Sequence, residues 1–207
     1  MVKEGIPFVI FFIGLLLISL ILKLWVISFL FLILCFQMIF FFRDPKRNIV
    51  EGKNLILSPA DGKVIKIEKV NSHPFFNNKP ATIVSIFLSL FDVHITRAPV
   101  EGYVKKLEYR KGKFFPAYKD KAQTSNSCVM LFIENKNTLI AVKHIAGILA
   151  RKVKCWIKEK DYLKSGQKTG LIYFGSRVDL FLPQNVTLKV NINQKVKGGE
   201  TIIGELK

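Results

Sequence analysis

The chain has 207 residues, half of them apolar, with 18 Phe, 32 Lys plus Arg, 15 Asp plus Glu and a formal net charge of +17. That is the size of one soluble domain, or of a smaller domain with a membrane anchor, and so much apolar content excludes global disorder. Positive mean hydropathy beside such a charge requires the apolar and basic residues to lie in different parts of the chain.

They do. Residues 6–42 are predominantly apolar, with Lys23 as the only charge. As one helix this run would be about 55 Å long, nearly twice a ~30 Å hydrocarbon core. Lys23 divides it into two predicted helices, 6–22 and 24–42, each near the minimum crossing length. The predicted arrangement is a transmembrane hairpin with both ends on the cytoplasmic side, marked by Lys3, Arg43, Lys46 and Arg47. Lys23 then reaches the far interface. A shallow hairpin that never crosses is the alternative, because the turn has no Gly, Pro or polar cluster. A cleaved signal peptide does not fit so long a run without a small-residue cleavage site.

Residues 43–207 carry 30 of the basic and 14 of the acidic residues. A solvated lysine-rich surface explains this, and so does attraction to anionic lipid, at about 1 kcal/mol per basic residue near the bilayer. No nucleic-acid partner is expected, because the lysines are scattered and no nucleic-acid-binding motif accompanies them. Cys35, Cys128 and Cys155 form no CxxC or metal spacing, and with only His73, His94 and His144 no metal site is expected. Reduced thiols and a cytosolic compartment follow. The GxGxxG and P-loop signatures are absent.

Beyond residue 50, short β-branched and aromatic runs alternate with turn signals. Strands are predicted at Leu55–Leu57, Val64–Val70, Thr82–Leu88, Gly102–Tyr109, Val129–Ile133, Thr138–Val142, Val153–Ile157 and Thr187–Val190. His73, beside Pro74 in an Asn-rich stretch, reads as a solvated loop, and His144 as a strand residue. The segments 163–170 and 196–204 echo one another as apolar-Lys-small-Gly, a polar residue, then Gly. Such turns suit short strands of lipoyl-like modules. The fold class expected is all-β (or β-rich α+β): a compact sandwich or barrel of short strands with lipoyl-like turns, preceded by the N-terminal helical hairpin.

Four segments bear on chemistry: Phe42-Arg43-Asp44-Pro45, Ser58-Pro59-Ala60-Asp61-Gly62-Lys63-Val64, residues 87–102 around Asp92-Val93-His94 with Arg97, and Phe174-Gly175-Ser176-Arg177-Val178-Asp179-Leu180-Phe181-Leu182-Pro183. Singly, each reads as an ordinary turn or strand end. In this order and spacing, the chain resembles the short, membrane-anchored form of the phosphatidylserine decarboxylase proenzyme family. The stretches 112–126 and 145–151 are similar to that family too, and the resemblance covers essentially the whole chain.

The resemblance implies a pyruvoyl-dependent lyase that converts phosphatidylserine to phosphatidylethanolamine. Decarboxylation leaves a carbanion that needs an electron sink, and a pyruvoyl carbonyl joined to the substrate amine as a Schiff base provides one. The implied cofactor is made from the chain itself. The Ser176 hydroxyl attacks the Gly175 carbonyl, elimination splits the chain, and Ser176 becomes the pyruvoyl end. Residues 1–175 would form a β chain and 176–207 an α chain, held as a heterodimer. Glycine at 175 permits the close approach this acyl shift requires.

His94 is the candidate base, and Asp61 the carboxylate that would orient it. Many relatives carry His-x-x-His in this motif, whereas Arg97 stands here at the second position, which leaves the cleavage base open between His94 and His144 in reserve. Arg97 would instead contact substrate phosphate. The implied partners are anionic phospholipid and the membrane surface, and the implied location is the cytoplasmic face of the cell membrane. Two other readings stand beside this one: a decarboxylase for an ether-linked serine lipid, and a non-catalytic anchored lipoyl-like module.

Overall fold

The computed structural model describes residues 1–135, 138–147, 153–173 and 175–207, with the side chain of residue 120 left aside. It comprises two units, Met1–Lys46 and Arg47–Lys207.

In the first unit the apolar run forms helices α1, Ile6–Ile21, and α2, Trp25–Phe41. The missing turn residue is replaced by Lys23 itself, which takes a left-handed φ of 58°. The Lys23 and Leu24 N–H groups then donate back to Leu20 and Ser19, satisfying carbonyls at the end of α1. Buried Ser28 donates to Ser19 across the helix pair at 2.9 Å. At the open end the Val2 N–H donates to the Phe42 carbonyl. Most other side chains of both helices are apolar and exposed. By length and composition, the helical segment Lys3–Ile21 is long and apolar enough to cross a membrane, whereas Trp25–Phe41 is shorter.

In the second unit, period-two alternation builds a sheet. Strands β1 Leu55–Leu57, β2 Gly62–His73, β3 Lys79–Leu88, β4 Ile95–Arg97, β5 Gly102–Arg110, β6 Cys128–Asn135 and β7 Thr138–Ile145 come first. Then follow β8 Val153–Cys155, β9 Tyr162–Leu163, β10 Lys168–Ile172, β11 Ser176–Pro183, β12 Val186–Leu188, β13 Lys195–Val196 and β14 Ile202–Leu206, with a short helix α3 at Asp120–Ser125. Eight strands form one antiparallel sheet in the order β13-β2-β3-β11-β7-β6-β5-β9, and β1-β14-β12 and β4-β10-β8 form two three-stranded sheets. The fold is mainly β with an N-terminal apolar helix pair, as expected. Several strands are longer than predicted, and the strand-like runs on either side of Gly175-Ser176 are β10 and β11. β4, β9, β13 and β14 lie outside the predicted strands; they are short and meet their partners only through the tertiary fold.

The sheet order is symmetric about the β11–β7 seam, and so are the hydrogen bonds. Leu57 donates to Pro99 and Arg97 to Pro59, both at 2.8 Å. Gly199 donates to Ser58, and Gly166 to Ala98. Asn193 donates to Val64, and Lys160 to Val104, both at 2.7 Å. Gly62 and Gly102 occupy equivalent places, with φ of 147° and 151°. A Cβ would lie 2.2 Å from the Phe87 carbonyl oxygen in one and 2.4 Å from that of Glu134 in the other, so only glycine fits. The echo between 163–170 and 196–204 is thus part of a two-fold internal repeat that also relates Pro59–Gly62 to Pro99–Gly102.

One face of the sheet packs the main core, including Val64, Ile86, Leu88, Leu131, Val142, Val178, Leu180 and Leu182. Each such side chain contributes about 1.5–3 kcal/mol on burial. The other face buries Ile83, Met130, Phe132 and Phe181 with Phe76. His73 belongs here rather than in a solvated loop. It ends β2, its Nδ1 accepts from the Phe75 N–H, and its ring packs against Phe75 and Phe181 at 4.6 and 5.0 Å.

Candidate active site

Ser176 opens β11, fully buried, opposite Leu88 of β3. Alternation puts it on the core face with Val178, Leu180 and Leu182. Among the described residues its Oγ has no hydrogen-bond partner. Gly175 before it has φ of 65°, in the left-handed region, and a Cβ there would meet nothing within 4 Å. Glycine at 175 is therefore favoured by backbone conformation rather than by crowding. From residue 176 on, β11 pairs with β3 on one side, and from Arg177 with β7 on the other.

His94 lies in the segment between β3 and β4 and is fully buried. Its Nδ1–H donates to the Asp92 carbonyl at 2.9 Å, which fixes the tautomer and leaves the lone pair of the neutral ring on Nε2. Asp92 also shapes this segment, because its carboxylate accepts from the Ser89 N–H and Oγ at 2.8 and 2.7 Å. The Ile172 N–H donates to the His94 carbonyl, and Ser176 pairs with Leu88. The segments 88–94 and 172–176 are therefore tied at both ends, and the Gly175–Ser176 link lies between the ties.

His144 sits on β7 opposite Val178, on the same face as Ser176 and diagonal to it. It is buried, which pushes its imidazole down to about 4, so the ring is neutral around pH 7. Its Nε2 finds no partner among the described residues.

Asp61 and Arg97 are engaged by other groups. Both Asp61 carboxylate oxygens are taken, one by Arg47 at 2.6 Å and the other by the Gly198 N–H at 2.8 Å. Arg97 is buried and its Nη1 donates to the Gly166 carbonyl at 2.8 Å. The glycine turns of the internal repeat hold both residues.

On the opposite face of β11 lies a group that the sequence reading did not single out. Arg177 and Asp179 are fully buried and paired at 2.6 Å, and Arg177 also donates to Ser85 of β3 at 2.8 Å. Lys143 of β7, opposite Asp179, donates to the Gln123 carbonyl. Burial lifts the Asp179 carboxyl against the opposing pull of Arg177, and burial lowers the Lys143 ammonium. Two charges two residues apart in an otherwise apolar strand were the available signal. Phe174 and most of the 145–151 stretch lie outside the described residues.

A family model described as phosphatidylserine decarboxylase matches residues 36–204. A phosphatidylserine decarboxylase proenzyme of Desulfotalea psychrophila is 40% identical over 99% of this chain and 95% of its own length. That of Carboxydothermus hydrogenoformans is 43% identical over 88% of this chain and 85% of its own. The Wolbachia protein from Brugia malayi is 45% identical over 81% and 74%. The likeness thus spans both the apolar segment and the strand that carries Ser176, and the chain belongs to the phosphatidylserine decarboxylase family.

Proposed function

We propose that this chain is a self-processing, pyruvoyl-dependent decarboxylase that converts phosphatidylserine to phosphatidylethanolamine. The observation that carries this reading is the Gly175–Ser176 link: a left-handed glycine followed by a buried serine whose hydroxyl has no partner among the described residues. A buried hydroxyl left unsatisfied costs about 1–3 kcal/mol, and a reactive role accounts for its retention.

In processing, Ser176 Oγ adds to the Gly175 carbonyl carbon as its proton passes to a base. The C–N bond breaks and the acyl group moves to oxygen as an ester. Loss of the α-proton expels residues 1–175 as a carboxylate, and water releases ammonia from residue 176, leaving a ketone at the new chain end. His94 is assigned the base, since its Nδ1–H is already committed to Asp92 and Nε2 carries the lone pair. Asp61 is assigned to the Ala60–Gly62 turn through Arg47 and Gly198. Arg97 is assigned the lipid phosphate.

The pyruvoyl group supplies the electron sink for loss of carbon dioxide, and its site fits a strand end that β3 and β7 continue to hold after the cut. In the uncut chain Ser176 is buried, which keeps the link away from bulk solvent before cleavage. The apolar helix pair and the basic residues that flank it, Lys3, Arg43 and Lys46, are assigned to a membrane anchor with the catalytic unit on the cytoplasmic face.

Intact mass spectrometry tests this reading. The expected result is two chains, 1–175 and 176–207, the smaller one lacking a free amine, while Ser176→Ala gives one uncut and inactive chain. An uncut wild-type chain would overturn it. Turnover of ester and ether serine lipids by the mature protein distinguishes the two substrate classes.

A further inference from the structure

The segment that carries His94 begins with a turn of unusual chemistry. The Asp92 N–H donates to the Ser89 carbonyl at 3.0 Å, and the Asp92 carboxylate caps Ser89. The two central residues of this turn are Leu90 and Phe91, at 36% and 69% exposure. Such positions ordinarily take Gly, Pro, Asn, Asp or Ser, whose backbone freedom or side-chain hydrogen bonds suit a turn. This turn, fixed by its own carboxylate, displays Leu-Phe at its tip.

A second segment adjoins it. Tyr118, 60% exposed, meets the ring of Phe87 edge-on at 6.1 Å, and Phe87 precedes the Leu88 that pairs with Ser176. Tyr118 lies in a stretch with exposed Lys111, Lys113, Lys119 and Lys121 and a single acidic residue, Asp120. Elsewhere Lys66, Lys105, Lys106 and Lys189 each pair with a glutamate.

We propose that the Leu90–Phe91 tip and the Tyr118 segment form a bilayer-docking face of the catalytic unit, distinct from the helix pair. The apolar tip enters the upper acyl region, the phenol lies at headgroup level, and the lysines meet anionic headgroups. Charge complementarity selects an anionic lipid surface as the occupant. The face lies at the end of β3 that pairs with the start of β11, the end of the sheet where Ser176 lies. This rests on the lipid-decarboxylase reading for its purpose, while its physical content is tested separately.

The test uses the full chain with Trp25→Phe and Trp156→Phe, reconstituted into vesicles of phosphatidylcholine with or without phosphatidylglycerol, part of the lipid brominated in the upper acyl chain. Phe91→Trp, or Leu90→Trp as a second probe, reports on the tip. Lys79→Trp, at the other end of β3 and about 30 Å away, is the control. Tip fluorescence is expected to be quenched at least about threefold more than the control in anionic vesicles. Changing all four lysines to Gln is expected to bring the tip down to its value in neutral vesicles. Equal quenching of tip and control, or quenching of neither, would overturn the docking face. Mass spectrometry of the same samples reports processing, so loss of cleavage with retained quenching would count against the enzyme reading alone.

Discussion

The Ile172 N–H donates to the carbonyl of His94 at 3.1 Å, four residues before the serine that opens β11. This bond, with the pairing of Ser176 and Leu88, fixes the histidine segment beside the link assigned to self-cleavage. His94→Gln keeps a polar side chain but removes the base. Maturation, followed by gel or mass, is expected to slow by about 10²–10⁴-fold, the usual contribution of a positioned base. Wild-type maturation with no lipid turnover would move His94 from cleavage to decarboxylation and bring His144 forward.

Gly175→Ala tests the left-handed backbone. A Cβ meets no neighbour, so the cost is conformational, about 1–2 kcal/mol for an L residue at this φ. The variant should fold, with a cleavage rate reduced by about tenfold or more as the chain relaxes toward negative φ and shifts the carbonyl from Ser176. Unchanged kinetics would separate the backbone conformation from the reaction.

The Arg177–Asp179 pair predicts a strongly non-additive cycle. Arg177→Met alone leaves a buried carboxylate uncompensated and should lose about 3–5 kcal/mol. Arg177→Met with Asp179→Leu should recover most of it, because both partners and their unsatisfied atoms leave together. In the single variant the Asp179 carboxyl, already lifted by burial, rises further above its unfolded value. The folded state then binds the proton more tightly, so its stability relative to wild type should improve as pH falls. Denaturant unfolding at two pH values measures this.

Buried His144 predicts acid sensitivity. Its folded value of about 4 lies below the unfolded 6.5, so the unfolded chain binds the proton first. The contribution is fully present above pH 6.5 and is lost as pH falls toward 4, roughly 2 kcal/mol of it by pH 5. His144→Leu should therefore lose less Tm between pH 7 and pH 5 than wild type, by roughly 5 °C. Equal losses would show that the imidazole titrates normally.

Much of this molecule is local information. The apolar run fixed two helices and a break at Lys23, because that is the only charge in it. Alternating β-branched residues marked β1, β2, β3, β5, β6 and β7, because one face of each had to be buried. The spacing of Gly175-Ser176, Asp92-Val93-His94 and Asp61-Gly62 carried the family. Tertiary structure decided which of these residues meet. Asp61 takes Arg47, 14 residues before it, and Gly198, 137 residues after it, and no local pattern could have chosen those over a histidine. The Arg177–Asp179 pair needed β3 and β7 on either side before its burial could be seen. Of the two-fold repeat, only the echo of 163–170 and 196–204 was legible in side chains; the rest emerged as hydrogen bonds, since backbone amides pair alike whatever side chains they carry.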